Sequence, residues 1–117
     1  MEVRAITRNV RMSAQKVREV VRQIQGMNAV QAQAVLAVVP RKSARLIART
    51  LKSALANAED LKEHKPEYAG LFIEALRIKE AAALTGRTAK RFVPKARGSA
   101  GPILKRSCHI KIVLSDN

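Results

Sequence analysis

Aromatic residues are nearly missing from this chain. Tyr68, Phe72 and Phe92 are the whole set, and tryptophan is absent. So few rings exclude the stacking sheets and platforms on which many single-strand RNA and DNA binders lay their bases, leaving phosphate contact and shape as the means of recognition. Cysteine occurs once, as Cys108, so no disulfide can close within the chain, and no Cys/His set has zinc-ligand spacing. No metal or cofactor is expected, and a reducing compartment fits best. The longest unbroken apolar run, Ala34 to Val39, falls far short of the roughly 18 to 20 residues that span a bilayer. The N-terminal MEVRAITRNVR scatters charge where a signal peptide needs an apolar segment, so the expectation is a soluble, non-secreted chain with no membrane partner.

Negative charge is the other scarcity. Nine acidic residues face 23 lysines and arginines, a formal charge of +14 on 117 residues with a pI near 11.2. That length suits one domain, and that charge seeks a polyanion. Of the 47% hydrophobic residues many are alanine, which implies a thin, helix-rich core.

Catalysis finds little material. His64 and His109 are the only histidines, no Ser/His/Asp or Cys/His constellation can be argued, and Cys108 beside His109 on a strand would point to the opposite face. Glu59 and Asp60 read as solvated helix-end carboxylates. No GxGxxG or Walker pattern occurs, which argues against nucleotide binding. No catalytic residue is assigned.

The residues that are present order themselves clearly. Val3 to Arg11 alternates as a short strand. Ser13 is placed to cap a helix with Val17, Val20, Val21 and Ile24 on one face, ended by Gly26. Asn28 is placed to cap a second, with Ala32, Val35, Leu36 and Val39 inward and Pro40 closing it. A third helix, from Arg41 to about Asp60, puts Ala44, Ile47, Ala48, Leu51, Leu55 and Ala58 inside. The stretch from Glu59 to Glu67 then reads as an acidic, solvated loop. Leu71 to Lys79 reads as a strand with a parity shift between Ile73 and Leu76, and Ile110, Ile112 and Leu114 alternate in a last strand.

Three basic groups stand out. Lys42, Arg45, Arg49 and Lys52 form a stripe on the outer face of the third helix, with no acidic residue at i±3 or i±4 to neutralise them. Arg4, Arg8 and Arg11 mark the first strand, with Lys16 and Arg18 adding to the contact of the body. Between Gly86 and Arg106 lie Arg87, Lys90, Arg91, Lys95, Arg97, Lys105 and Arg106, with no acidic residue among them. The segment from Glu80 to Lys105 has too little apolar material to fold alone. It is either a disordered basic loop or an extended hairpin that needs a partner, reaching roughly 35 to 40 Å if each arm is about a dozen residues at 3.3 Å.

Two other function classes stay in view. The first two helices and their Gly26-Met27-Asn28 link suggest a helix-turn-helix DNA-binding regulator, but Met27 to Val39 holds no charged residue to anchor a phosphate. A small enzyme for an anionic substrate would need a convergent acid, base or nucleophile and a pocket.

The stretches VRMSAQKVREVVRQIQG, LKSALANAE and KRFVPKARGSAGPILKRSCHIKIVL together resemble the large-subunit ribosomal protein L twenty-two family, in the family's order and over most of the chain. Pro94, Ala96, Arg97, Gly98, Lys105, Arg106 and His109 stand in register in the last of them. The resemblance implies an α+β body, three helices packed on a small three-stranded antiparallel sheet, with a long protruding β-hairpin at residues 80–105 of a single 1–117 domain. It implies a non-catalytic protein of a cytoplasmic or organellar ribosome, a monomer there, that binds several segments of large-subunit rRNA and takes part in assembly. Neighbouring large-subunit proteins and the nascent polypeptide in the exit tunnel are the other implied partners. The tunnel tip would be Pro94, Lys95, Ala96, Arg97, Gly98, Ser99, Ala100 and Gly101, approached through Ala89, Lys90, Arg91 and Phe92, near where macrolides act. Ala14 stands where the family usually has proline, Gln25 where it has a basic residue, and Ala81 to Thr88 replaces a shorter connection with a Gly-Pro pair.

Overall fold

A computed structural model describes residues 1–116. Five strands and three helices run in the order β1 (Glu2–Val10), α1 (Ala14–Ile24), α2 (Ala29–Val38), α3 (Lys42–His64), β2 (Arg77–Thr85), β3 (Ala89–Pro94), β4 (Ala100–Lys105), β5 (Cys108–Ser115). β5 lies between β1 and β2 in an antiparallel three-stranded sheet, while β3 and β4 pair only with each other. The fold is thus the expected α+β body with a hairpin.

Periodicity accounts for the helices. Val17, Val20, Val21 and Ile24 are buried on α1, and Gly26 follows with φ +83, the left-handed turn that stops the helix and that glycine tolerates best. Ser13 occupies the N-cap position with extended backbone, but its side chain makes no capping bond. Asn28 does cap α2, its side-chain oxygen accepting from the Val30 amide at 3.0 Å. α3 is longer than its apolar pattern suggested, continuing to His64. Glu59, Asp60 and Glu63 therefore stand on the last helical turns rather than in a loop. The helix persists because Leu61 is still half-buried and the Lys65 amide returns to the Leu61 carbonyl at 2.9 Å.

The sheet buries one face. Val3 and Ala5 of β1, Ile78, Ala81 and Ala83 of β2, and Cys108, Ile110, Ile112 and Leu114 of β5 join Ile24, Ile47 and Leu51 in one core. α1 packs on β2, α3 on β1 and β5, and α2 lies against α3. Thr7 and Thr50 tie β1 to α3 inside that layer: Thr50 donates to the Leu46 carbonyl, so Thr7 donates to Thr50, at 2.7 Å.

The second strand is displaced from its expected place at Leu71 to Lys79. Residues Ile73–Ala75 form a 3-10 turn, and the strand runs from Arg77 through the alanine run to Thr85. Leu71 and Leu76 are apolar because they are buried at a corner, not because they alternate in a sheet. Alanine has weak strand preference, and only the ladder with β5 makes Ala81 to Ala83 a strand. The irregularity in register falls between Ile78 and Glu80. The α1–α2 link also reaches this strand, since the Gly26 and Ala29 amides donate to the Ile78 and Leu76 carbonyls, both at 2.9 Å.

The sheet therefore claims residues 80–85 of the expected hairpin. Projection begins at Gly86, whose amide meets the Ser107 carbonyl at 3.0 Å and whose Cβ, if it had one, would lie within 3.0–3.2 Å of Ser107. The register of β3 and β4 pairs Ala89 with Lys105 and Pro94 with Ala100. Elongation follows: the chain extends 67 Å along its long axis and 28 and 17 Å across.

Candidate nucleic-acid interface

Charge on this molecule is sorted by place. Five ion pairs occur among the described residues, and they use the N-terminal amine, Arg41, His64, Lys79 and Lys111 against Asp116, Glu19, Asp60, Glu2 and Glu80. None of the basic residues singled out from the sequence is in one. The Lys79 ammonium beside Glu2 holds that carboxyl below its ordinary range, and Glu2 in turn raises Lys79. The open face of the sheet near β2 is thereby largely neutralised.

The stripe on α3 is real in three dimensions. Lys42, Arg45, Arg49 and Lys52 are all exposed, while Ala44, Ile47 and Leu51 beneath them are fully buried. Cations cannot disperse on so regular a surface, so their repulsion is relieved only by counter-ions or by a polyanion.

Arg4, Arg8 and Arg11 are exposed on and just after β1. Arg4 and Arg8 line an open groove of about 440 Å³ together with Ala5, Ile6, Ser53 and Asn57. Ser53 and Asn57 of α3 thus face the N-terminal arginines across one groove, while Lys42, Arg45, Arg49 and Lys52 do not line it. The packing of α3 on β1, pinned by Thr7 and Thr50, brings the two sides of the groove together. Lys16 is exposed on α1. Arg18 is exposed but tethered, its Nε donating to the Ala83 carbonyl at 3.1 Å, so part of its donor capacity is spent inside the protein.

In the hairpin Arg87, Lys90, Arg91, Lys95, Arg97, Lys105 and Arg106 are all exposed. Cross-strand pairing groups Lys90, Phe92 and Pro94 with Leu104, Pro102 and Ala100 on one face. Phe92 is 74% exposed there, a large apolar ring with nothing over it. Arg91 and Val93 pair with Ile103 and Gly101 on the other face. The turn spans Lys95 to Ser99, closed by the Lys95 amide to the Ser99 carbonyl at 2.6 Å, with Arg97 at φ 62 and Gly98 at φ 71. The Lys95 side chain lies across Gly101, where any Cβ would collide with its stem. Gly101 is buried there. The expected tip residues Ala96, Arg97, Gly98, Ser99 and Ala100 are all exposed at this end.

Neither histidine is placed for catalysis. His109 accepts the Asn9 amide at 3.1 Å, supporting a residue held at φ 57, and His64 sits over Asp60, whose backbone oxygen and carboxylate raise its pKa. Burial pushes the Cys108 thiol up, against a smaller opposing pull from Arg18. No group of three or more potential metal ligands occurs among the described residues, and none of their helices is long and apolar enough to cross a membrane.

Sequence comparison places this geometry. The model of the family described as ribosomal protein L22p/L17e matches residues 5–115. This chain belongs to that family. It is 50% identical to the large ribosomal subunit protein uL22 of Opitutus terrae over 116 residues, covering 99% of this chain and 96% of that protein. The proteins of the same name from Methylacidiphilum infernorum and Akkermansia muciniphila are 47% and 43% identical, again over 99% of this chain and 96% and 97% of theirs. The family is one of structural ribosomal proteins, not of enzymes.

Proposed function

We propose that this chain is a non-catalytic structural constituent of the large ribosomal subunit that binds large-subunit rRNA, bridges several rRNA segments during assembly, and lines the nascent-polypeptide exit tunnel with its hairpin. Membership of the L22p/L17e family supports the subunit and the RNA. The observation that carries the finer reading is a hairpin with seven exposed cations, no acidic residue and almost no core, standing off a folded body. Such a structure gains order and counter-charge together when it enters a cleft walled by phosphates.

The mechanism is electrostatic cross-linking. Phosphates repel one another, and a body and an arm that carry cations at opposite ends of a long molecule neutralise strands too far apart for a compact protein to reach. Arg4, Arg8, Arg11, Lys16, Arg18, Lys42, Arg45, Arg49 and Lys52 serve the body, and Arg87, Lys90, Arg91, Lys95, Arg97, Lys105 and Arg106 the arm. The exposed ring of Phe92 and the small residues around Gly98 to Gly101 would face the nascent chain at the tip. Neighbouring large-subunit proteins complete the surroundings of a single copy in a cytoplasmic or organellar ribosome.

Sedimentation of a cell extract, before and after a moderately high-salt wash, tests this reading. Co-migration with the large subunit that survives the wash is the expected result. Migration as free protein, or with DNA, would overturn it in favour of a duplex-binding regulator.

A further inference from the structure

The groove between β1 and α3 differs in kind from the other basic surfaces, because polar uncharged groups sit between its arginines. Arg4 and Arg8 stand on one side and Ser53 and Asn57 on the other, and Ile6, 40% exposed, lies between the two arginines along β1. Asn57 donates its amide nitrogen to the Arg4 carbonyl at 3.2 Å, which leaves its side-chain oxygen free to accept from a ligand. Ser53 is exposed and has no hydrogen-bond partner among the described residues. No acidic residue lines the groove.

The direction of the elements follows from two contacts. Thr7 meets Thr50 and Arg4 meets Asn57, so β1 and α3 run in opposite senses along the groove. Arg49, one helical turn before Ser53, therefore lies towards the Arg8 end, outside the residues that line the groove. Beyond Asn57 the same face of α3 carries Asp60, so the attractive surface stops at that end.

β1 is an edge strand, paired with β5 alone. The Arg4 carbonyl points away from β5, since it accepts from Asn57 on α3. In an antiparallel pair outward backbone groups recur at every second residue, so Ile6 also turns its amide and carbonyl into the groove. Along the strand, Arg4 and Arg8 are about 13 Å apart at roughly 3.3 Å per residue, room for more than one sugar-phosphate unit.

We infer that this groove holds a ribose-phosphate backbone and reads its 2′-hydroxyl. Arginine forks take the phosphates. The Ser53 hydroxyl and the Asn57 side-chain oxygen meet the 2′-hydroxyl, which both donates and accepts and is what distinguishes RNA from DNA at a given site. Ile6 packs against the sugar. The inference rests on the RNA-binding reading above and adds to it a sugar-selective site outside the hairpin.

The test uses the full chain and a labelled single-stranded oligouridylate, beside the 2′-deoxyuridine oligomer of the same length, by fluorescence anisotropy at several salt concentrations. The unchanged protein is expected to prefer the ribose oligomer by about three- to ten-fold, the scale of one or two net hydrogen bonds. Ser53→Ala, at a side chain with no internal bond, should erase much of that preference while leaving the salt slope alone. Arg4→Gln with Arg8→Gln should weaken both oligomers and reduce the slope by roughly 1.4, at about 0.7 per single-strand phosphate. A chain neutralised at the seven hairpin cations should keep its sugar preference. Equal binding of the two oligomers, or a preference untouched by Ser53→Ala, would overturn the inference while salt-dependent binding survives. Absence of salt-dependent binding to either oligomer would instead count against the RNA-binding reading itself.

Discussion

The body and the hairpin both carry exposed cations but solve opposite problems. In the body, Ile24, Ile47, Leu51, Leu71, Leu76, Ile78, Ile110, Ile112 and Leu114 are all fully buried, and cations are pushed to the outside of a structure that holds itself together. In the segment from Arg87 to Arg106 the only buried residue is Gly101, covered by a lysine stem. Its two strands pair only with each other, leaving the outward backbone groups of alternate residues unpaired by the ladder, and bury almost no apolar surface, and an isolated two-stranded hairpin is marginal in water. One region is folded by its own core. The other has its shape set by pairing and completed by what surrounds it.

The largest effect expected from breaking this contrast is on RNA affinity. Neutralising Arg87, Lys90, Arg91, Lys95, Arg97, Lys105 and Arg106 together should lower the slope of log affinity against log salt by roughly 5 to 6 if all meet phosphates. An unchanged slope would make the hairpin a bystander and the body the whole RNA-binding surface.

Stability should respond in the reverse sense. Leu51→Ala, at a fully buried position, is expected to cost roughly 2–5 kcal/mol in urea unfolding, whereas Phe92→Ala on the exposed hairpin face should stay within about 0.5 kcal/mol. Comparable losses would mean that the arm shares the core's cooperativity. Amide exchange sharpens the same point without mutation. In free protein, exchange should be fast from Arg87 to Gly101 and slow along β5, the central strand. Strong protection of the arm in the absence of RNA would contradict the contrast.

The smallest effect concerns pH and the neutralised edge of the body. The Lys79 ammonium holds the Glu2 carboxyl below its ordinary pKa, so the folded state binds that proton less readily than the unfolded chain. The stabilisation is present above the unfolded carboxylate pKa of about 4.3 and is lost as pH falls through the lower folded value. Glu2→Gln should thus reduce stability slightly near neutrality and flatten the acid limb. The urea midpoint compared at about pH 6 and about pH 3 measures it. A midpoint difference between the unchanged protein and the Glu2→Gln variant that does not narrow on acidification would remove the pair from the account.

Much of the body is legible in the residues alone. The i, i+3, i+4, i+7 spacing of Val17 to Ile24, the stop at Gly26 and the cap at Asn28 are local events, and local sequence states them. Ser13 keeps the N-cap backbone without the capping bond, because the position defines backbone conformation while the bond depends on where the hydroxyl turns. β2 lies later than its apolar residues suggest because alanine carries no strand signal of its own. Ser53 and Asn57 do not stand out in the sequence because nothing in a helix marks polar residues as special. Their spacing of four on the Arg49 side is the available hint, and it acquires meaning only with β1 alongside.

The sequence by itself determined the class of partner, the number of helices and the existence of a basic segment without a core of its own, since charge, periodicity and apolar content are properties of short stretches. Only the tertiary structure decided that Arg4 and Arg8 share a groove with Ser53 and Asn57 of α3, that the arm begins at Gly86 rather than at Glu80, and that Arg18 is tied to Ala83. These depend on which strand pairs with which and which helix covers it. Such contacts join residues well separated in the chain, Gly86 with Ser107, Asn57 with Arg4 and Arg18 with Ala83, and no local pattern encodes them.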